Sequence, residues 1–343
     1  MMIRPATFLL LTFNHERYVR QAIQAALAQD YHPLQIIISD DASTDKTGDI
    51  IVEEVRRYDG RHEIYVNRNT RRLRSVEHLT HVISMIRGDL VVMAHGDDIS
   101  KPQRTRTVVS AWQEQSVSMV SSNAQFIDKR GRRYKLTCES SVSRRIPAQQ
   151  FIKQNWIYEM LGATLAFEPE VVTKFAPLTA KLLATGLDHV LPLRAAMLKG
   201  FFYVDEPLVL YRRHGTNMSN FTADRTTSTL AYDETALANG MADRVRVLDD
   251  LLVLQAERPG NVELKELQTQ LEARLLSDLR RWSRLRAELR ATAQLPTWIS
   301  EEAMMSRTMR ADFWSWYGMD GFYAKVKRRL RRILVCRSDS RAH

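Results

Sequence analysis

Asp89-Leu-Val-Val-Met-Ala-His95-Gly96-Asp97-Asp98 is the stretch that decides how the chain folds. Leu90 to Ala94 is apolar without a break, which is how a strand reads when helices cover both faces of its sheet. The run then stops abruptly in a His-Gly-Asp-Asp turn. Working outward, strands are predicted at Ala6–Phe13, Leu34–Ser39, Glu63–Val66 and Asp89–Ala94. Between the first pairs, Val19, Ile23, Ala26 and Leu27 recur at helical spacing after Asn14, the expected N-cap, and Ile50, Ile51 and Val55 do so after Ser43 and Thr44. Short apolar strands alternating with amphipathic helices predict an α/β fold around a mostly parallel, Rossmann-like sheet.

Open parallel sheets bind ligands at the carboxyl ends of their strands. Those ends are polar here: Thr12-Phe13-Asn14-His15-Glu16, Ser39-Asp40-Asp41-Ala42-Ser43 and His95-Gly96-Asp97-Asp98. All three loops are expected to converge on one cleft. Adjacent carboxylates after a buried strand are costly unless a cation or hydrogen-bond donors offset their repulsion, and carboxylate oxygens suit Mg²⁺ or Mn²⁺. Helix capping accounts for either acidic turn alone, whereas two such turns beside the Asn14 loop make sense as a pocket for a nucleotide and its metal. The chain has neither G-x-G-x-x-G nor G-x-x-x-x-G-K-[ST], so no dinucleotide fingerprint or P-loop explains that pocket.

Further along, Ser100-Lys101-Pro102 reads as an N-cap with proline in the first turn, opening a helix through about Gln115. Val117–Asp128 and Tyr134–Thr137 flank a hairpin turn at Gly131. Residues 140–160 are poorly periodic and read as a loop. Strands are expected at Gly162–Phe167, Phe201–Val204 and Leu208–Tyr211, and a helix at Leu187–Leu198. From about 228 to 335 Leu, Ala, Arg and Glu dominate, which predicts three or four helices. The expected division is therefore an α/β domain over 1–225 and a helical C-terminal region over 226–343.

The length, 343 residues, leaves room for about two domains at roughly 150 residues each. With 44% hydrophobic and 26% charged residues, neither wholesale disorder nor a polytopic membrane protein fits. Cys138 and Cys336 are too few and too far apart for a disulfide framework or a thiolate metal site, so a reducing, cytoplasmic compartment is expected. Most of the net charge of +10 sits in residues 321–343, with eight basic residues and one acidic. Together with Phe313, Trp314, Trp316 and Tyr317, this basic amphipathic tail reads as an interfacial helix that holds the protein peripherally on an anionic membrane surface. It contains no nucleic-acid-binding module.

The chain resembles the family 2 glycosyltransferases of the GT-A type over roughly residues 1–220. The resemblance rests on Leu-Thr-Phe-Asn-His-Glu-Arg-Tyr-Val at 11–19, Ile-Ile-Ile-Ser-Asp-Asp-Ala-Ser-Thr-Asp at 36–45, Asn69, Arg87-Gly88-Asp89, His95-Gly96-Asp97-Asp98 and Pro102. Gly162-Ala163, Leu187-Asp188-His189 and Glu206-Pro-Leu-Val-Leu-Tyr-Arg-Arg-His214 continue it. It implies an inverting transferase that moves a sugar from a nucleotide diphosphate donor, commonly a UDP-sugar, to a glycan or lipid-linked acceptor.

By that resemblance Thr12, Phe13 and Asn14 line the nucleobase pocket, and Asp40 or Asp41 accepts a hydrogen bond from the base. Arg71 and Arg74 are candidates for diphosphate contacts. Asp97, with Asp98 and His214, is implied as the Mg²⁺ or Mn²⁺ site, beside His95 and Gly96. Gly162 and Ala163 mark the acceptor loop and Asp188 the catalytic base. Two departures stand out: His95 occupies the place of the family's first Asp, and Leu187 that of an acidic residue before the base. His15, His62, His78, His81 and His189 read as surface or packing residues, and Trp156, Tyr158 and Met160 as core or an acceptor platform. The rival readings are a catalytically silent relative serving as a scaffold and a nucleotidyltransferase, whose usual glycine- and basic-rich phosphate loop is replaced here by Thr12–Glu16.

Overall fold

In the computed structural model the residues described are 3–139, 142–153, 161–178, 187–214 and 230–291. The first half alternates β1 (Ala6–Thr12), α1 (Val19–Leu27), β2 (Leu34–Asp40), α2 (Thr47–Arg56), β3 (Glu63–Arg68), α3 (Arg74–Val82) and β4 (Leu90–His95). Then follow β5 (Ile99–Ser100), α4 (Arg104–Gln115), β6 (Met119–Ile127), β7 (Arg133–Leu136), β8 (Arg144–Ile146), α5 (Ala148–Lys153), β9 (Ala166–Phe167) and α6 (Glu170–Thr173). α7 (Leu187–Leu198), β10 (Phe201–Arg212), α8 (Leu230–Glu257) and α9 (Val262–Ala291) complete it.

The main sheet runs β3-β2-β1-β4-β9-β6-β10-β5, with β7 on β6 and β8 on β10. β1 to β4 are mutually parallel, and the short β9 is antiparallel to both β4 and β6, so β6 and β10 point the same way as β1. Every residue of β1 and β2 is buried, as strands covered on both faces require. Alternate side chains supply two cores. Phe8, Leu10, Ile36, Ile38 and Val92 pack with Ile23 of α1, Ile51 of α2 and Trp112 of α4. Leu9, Leu11, Ile37, Val91 and Met93 face the other way, toward α3, α5 and α7.

That second core continues into the C-terminal helices. Leu248, Leu251 and Leu254 of α8 and Leu264, Leu267, Leu271 and Leu275 of α9 recur at helical spacing and join the same apolar cluster. Asn261 caps α9, its Oδ1 accepting the Leu264 N–H at 3.0 Å. A buried ion pair fastens α8 to α7: Arg194 donates to Asp250 at 2.8 and 3.1 Å, the side chains 0% and 2% exposed. Arg194 and Arg246 also donate to the carbonyl of Ala176.

Several local expectations are corrected. Asn14 and Ser43 cap nothing; α1 and α2 start at Val19 and Thr47, and Asn14, at φ 53°, instead accepts the Thr44 N–H at 2.9 Å. Ser100 ends β5 and α4 begins at Arg104, beyond Pro102. Gly162–Phe167 is not one strand: Gly162–Thr164 is a 3₁₀ turn and β9 has two residues. The two strands expected after residue 200 are one, β10, irregular around Pro207, which has no N–H to donate to a ladder. The 140–160 stretch holds β8 and α5 where described. α8 and α9 are the helices among the described residues after 228, and Trp156, Tyr158, Met160 and the basic tail lie outside them. Asp250→Ala, which strands a buried guanidinium, is expected to cost about 3–5 kcal/mol in urea unfolding, with most of it restored in the Arg194→Met/Asp250→Leu pair.

Candidate active site

The parallel strands end on one edge, and their loops are bound to one another. Asp41 N–H donates to the Thr12 carbonyl at 2.9 Å, Asn69 N–H to that of Asp40 at 2.8 Å, and Gly96 N–H to that of Leu11 at 2.9 Å. The Thr12–Glu16 loop is fastened onto the Asp40–Thr47 loop by Asn14 N–H to Ser43 Oγ, His15 N–H to Thr47 Oγ1 and Glu16 N–H to Asp45 Oδ2, at 2.8, 2.8 and 3.1 Å.

Asp40 and Asp41 divide this work. Asp40 is buried and accepts from the Thr12 and Ser43 hydroxyls and from the Ser43 N–H. Asp41 accepts from Asn69 Nδ2 at 2.8 Å and from the Leu73 and Arg74 amides at 2.7 Å each. Its carboxylate thus shapes the Asn69–Arg74 loop and holds Arg74 in a left-handed conformation, φ 68°. Asn14, Ala42 and Arg74, all non-glycine with positive φ, belong to these three loops. Such backbone concentrates at ligand sites because neighbours must over-determine it. Arg72, which the sequence reading passed over, lies on the Phe13 ring, its guanidinium carbon 3.8 Å from the ring centre. Arg71 is exposed on the same loop.

Asp97 sits among imidazoles. His214 Nε2 donates to Asp97 Oδ2 at 3.0 Å and His15 Nε2 is 3.9 Å away. One donor atom each from His95, Asp97 and Asp98 lie within 4.8 Å of one another. Burial pushes Asp97 upward, but the His214 hydrogen bond and the neighbouring imidazoles more than offset it, holding the carboxyl at about 2. Burial pushes Asp98 upward, the adjacent Asp97 charge reinforces it, and the Arg212 N–H at 2.8 Å only partly counters it. Burial also lowers His15 and His95, leaving neutral rings with lone pairs to offer. The imidazole nitrogen of His95 grouped with carboxylate oxygens of Asp97 and Asp98 fits a divalent transition ion, and Mn²⁺ better than Mg²⁺, which prefers oxygen throughout. His15, expected to be a surface or packing residue, stands beside this group, 3.9 Å from Asp97; its sequence neighbours gave no metal-ligand spacing to find it by. His62 and His78 are structural: His78 Nε2 meets Ser39 Oγ and His62 Nε2 meets the Gln29 carbonyl.

Arg212 holds the turn in place. It is buried, its Nε donates to the Asp97 carbonyl at 2.9 Å, and its terminal nitrogens reach Gln21 and the Asp128 carbonyl. Gly96 leaves no room for a side chain, since a Cβ there would meet His15 Nδ1 and Thr12. Asp188, in the first turn of α7, is bound by the Gly162 N–H, and a Cβ on Gly162 would fall on its carboxylate. Burial raises Asp188 to about 6, opposed by that N–H. The Gly162–Thr164 turn, with buried Ala163, is tied to β4 through Met93 N–H to the Leu165 carbonyl at 3.0 Å, which brings it beside the strand that ends in His95.

With this geometry in view, the glycosyl transferase family 2 model matches residues 7–168. The chain carries a family 2 glycosyltransferase domain. A Bacillus subtilis protein named as a glycosyltransferase, EpsE, is 34% identical over 98 residues, covering 29% of this chain and 34% of that relative. An uncharacterized Nostoc glycosyltransferase is 22% identical over 232 residues, 67% of this chain and 71% of the relative. The S. aureus TarS 1-349 structure in complex with UDP-GlcNAc superposes with a TM-score of 0.53 at 13% identity, over 82% of this chain and 83% of that one. The shared fold is GT-A. Loss of the Asp41 carboxylate in Asp41→Ala should speed hydrogen exchange of the Leu73 and Arg74 amides by about 5- to 150-fold, the equivalent of roughly 1–3 kcal/mol per donor left without its partner.

Proposed function

We propose that this protein is an inverting glycosyltransferase that moves a sugar from a nucleotide diphosphate, a UDP-sugar, to a hydroxyl of a glycan or lipid-linked acceptor in surface polysaccharide assembly. The observation that carries the reading is the cluster at Asp97, a low-pKa carboxylate among three histidines at the end of β4, beside the interlocked loops of β1 and β2. The bound UDP-GlcNAc in the TarS structure of the same fold supports the choice of donor.

In this reading Phe13 with Arg72, Thr12 and Asn14 lines the base pocket, Asp40 or Asp41 receives a base N–H, and Arg71 and Arg74 face the diphosphate. Asp97 and Asp98 with His95 and His214 would hold the metal, His15 standing beside them, and the Arg212 amide braces Asp98. When bound, a divalent ion screens the diphosphate and stabilises it as a leaving group. Asp188 takes the proton of the acceptor hydroxyl as that oxygen bonds to the anomeric carbon, while the bond from that carbon to the diphosphate oxygen breaks. A single displacement of this kind inverts the anomeric centre. The acceptor reaches Asp188 past Gly162 and Ala163. The sequence of residues 321–343 supports attachment to an anionic membrane surface. No helix among the described residues is long and apolar enough to cross a membrane.

Thermal unfolding with UDP, GDP, CDP and dTDP, with and without metal, tests the donor. Binding to the folded state alone raises its stability, so UDP with Mn²⁺ should raise Tm more than UDP with Mg²⁺, and Asp97→Ala should abolish the metal-dependent increment. A chain that no nucleotide stabilises would be the silent scaffold. Turnover tests the base. With Asp188 at about 6, kcat should fall tenfold per pH unit below that value and level off above it. Asp188→Asn should lower kcat by about 10²- to 10⁴-fold while keeping the UDP-induced shift. The same residue has a stability signature. Its pKa is higher folded than unfolded, so its stabilising contribution is complete at low pH and is lost as pH rises through about 6; Asp188→Asn should therefore raise Tm at pH 7.

A further inference from the structure

A row of aromatic rings crosses three neighbouring strands near the same edge of the sheet. Tyr211 of β10 is the register partner of Phe126 on β6, and their rings meet edge to face at 5.8 Å. Tyr134 of β7 stacks on the other side of Phe126 at 5.7 Å and 14°. Phe126 is buried beneath its neighbours, whereas Tyr134 is 52% exposed. Cations border the row: the Arg213 guanidinium lies 5.5 Å and the Lys135 ammonium 5.8 Å from the Phe126 ring centre.

The hairpin that carries Tyr134 is Lys-Arg-Gly-Arg-Arg-Tyr-Lys over 129–135, exposed at every position. Arg132 is paired with Asp128 at 2.7 Å, but Lys129, Arg130, Arg133 and Lys135 have no acidic partner among the described residues. Such a concentration of like charge around an exposed ring is a cost to the free protein that an anionic ligand removes. An aromatic face, negative at its centre, also accepts the weakly positive C–H edge of a pyranose ring.

The inner end of the row leads to Asp188. Tyr211 packs against Leu161, Ala163, Ala124 and Val209, and Leu161 and Ala163 flank the glycine whose N–H holds the Asp188 carboxylate. A chain of sugars lying on Tyr134 and Tyr211 would have one end at that carboxylate and its charged substituents among the hairpin cations. We propose that this aromatic row and the cationic hairpin at 129–135 form an acceptor subsite for a glycan bearing carboxylate or phosphate groups beside its sugar rings. The inference rests on the transferase reading for its direction toward Asp188.

The test is calorimetric binding of the full chain to three dextran oligosaccharides of one length: neutral, carboxymethylated and phosphorylated. Both charged forms should bind at least tenfold more tightly than the neutral one at low salt, the tighter of the two naming the anion. Arg130→Glu/Lys135→Glu should reduce them to the neutral level. Tyr134→Ala should weaken all three by about five- to tenfold and Tyr134→Phe should restore them, the stacking surface being kept. None of these variants should alter the UDP-induced rise in Tm, which also shows that each is folded. Equal binding of neutral and charged dextrans overturns the proposal. So does polyglutamate or a thymidine oligonucleotide binding as tightly as the charged dextrans with no effect of Tyr134→Ala, because charge alone would then explain the patch. Charged-dextran binding that follows these variants in a chain that no nucleotide stabilises would keep the subsite and overturn the transferase reading instead.

Discussion

Burying the guanidinium of Arg212 is the constraint on which the rest of the site depends. A cation out of water costs several kcal/mol unless its donors are met, and here each finds an acceptor from a different part of the chain. The Asp97 carbonyl comes from the His95–Asp98 turn, Gln21 from α1 and the Asp128 carbonyl from the β6–β7 hairpin, while the Tyr18 ring lies 4.7 Å from the guanidinium carbon. The Arg212 amide donates in addition to Asp98. A second buried arginine, Arg104, lies behind β4 and donates to the Met93 carbonyl and Ser100 Oγ. Burial lowers it to about 9, with the Asp98 charge opposing. The His95–Asp98 turn therefore hangs between two buried cations, and Asp97 is left facing the imidazoles.

The other half of the site depends on the C-terminal helices. Asp188 stands in the first turn of α7, and α7 is held by Arg194 to Asp250 of α8. Because α8 and α9 contribute their leucines to the core beneath β1 and β4, that attachment runs through the middle of the molecule. A displacement of α8 would thus be felt at the first turn of α7. Gly162 sets the tolerance: its missing side chain is the space the Asp188 carboxylate fills.

The strands were legible because parallel strands buried on both faces are apolar runs, and Leu90–Ala94 could be little else. The grouping of the polar loops was legible because their residue types sit where strands end. What was hidden depends on partners far away in sequence. Asn14 has the composition of a cap, but its amide oxygen meets a backbone N–H thirty residues on, in the Thr44 loop. His15 reads as a surface or packing histidine until Asp97 is brought up to it. Gly162–Phe167 has strand composition, yet Gly162 is spent on a turn that shapes itself to Asp188. Arg72 and Phe13 meet only because Asp41 bends the loop between Asn69 and Arg74.

The proposed donor and acceptor sides are built from different physics. On the proposed donor side Asp40, Asp41, Asp97 and Asp98 are largely withdrawn from solvent and held by hydrogen bonds with fixed geometry. Interactions of that kind are little screened by salt, and they suit a ligand whose base and diphosphate do not vary. Around Tyr134 the charges are exposed and their side chains reach into water, so their field is screened within about 10 Å at 0.1 M salt. A field of that reach selects for the sign of a ligand more than for its shape. Rigid recognition of the donor beside permissive recognition of a charged polymer is what an enzyme needs if it adds one sugar to a chain whose length and local conformation change from one molecule to the next.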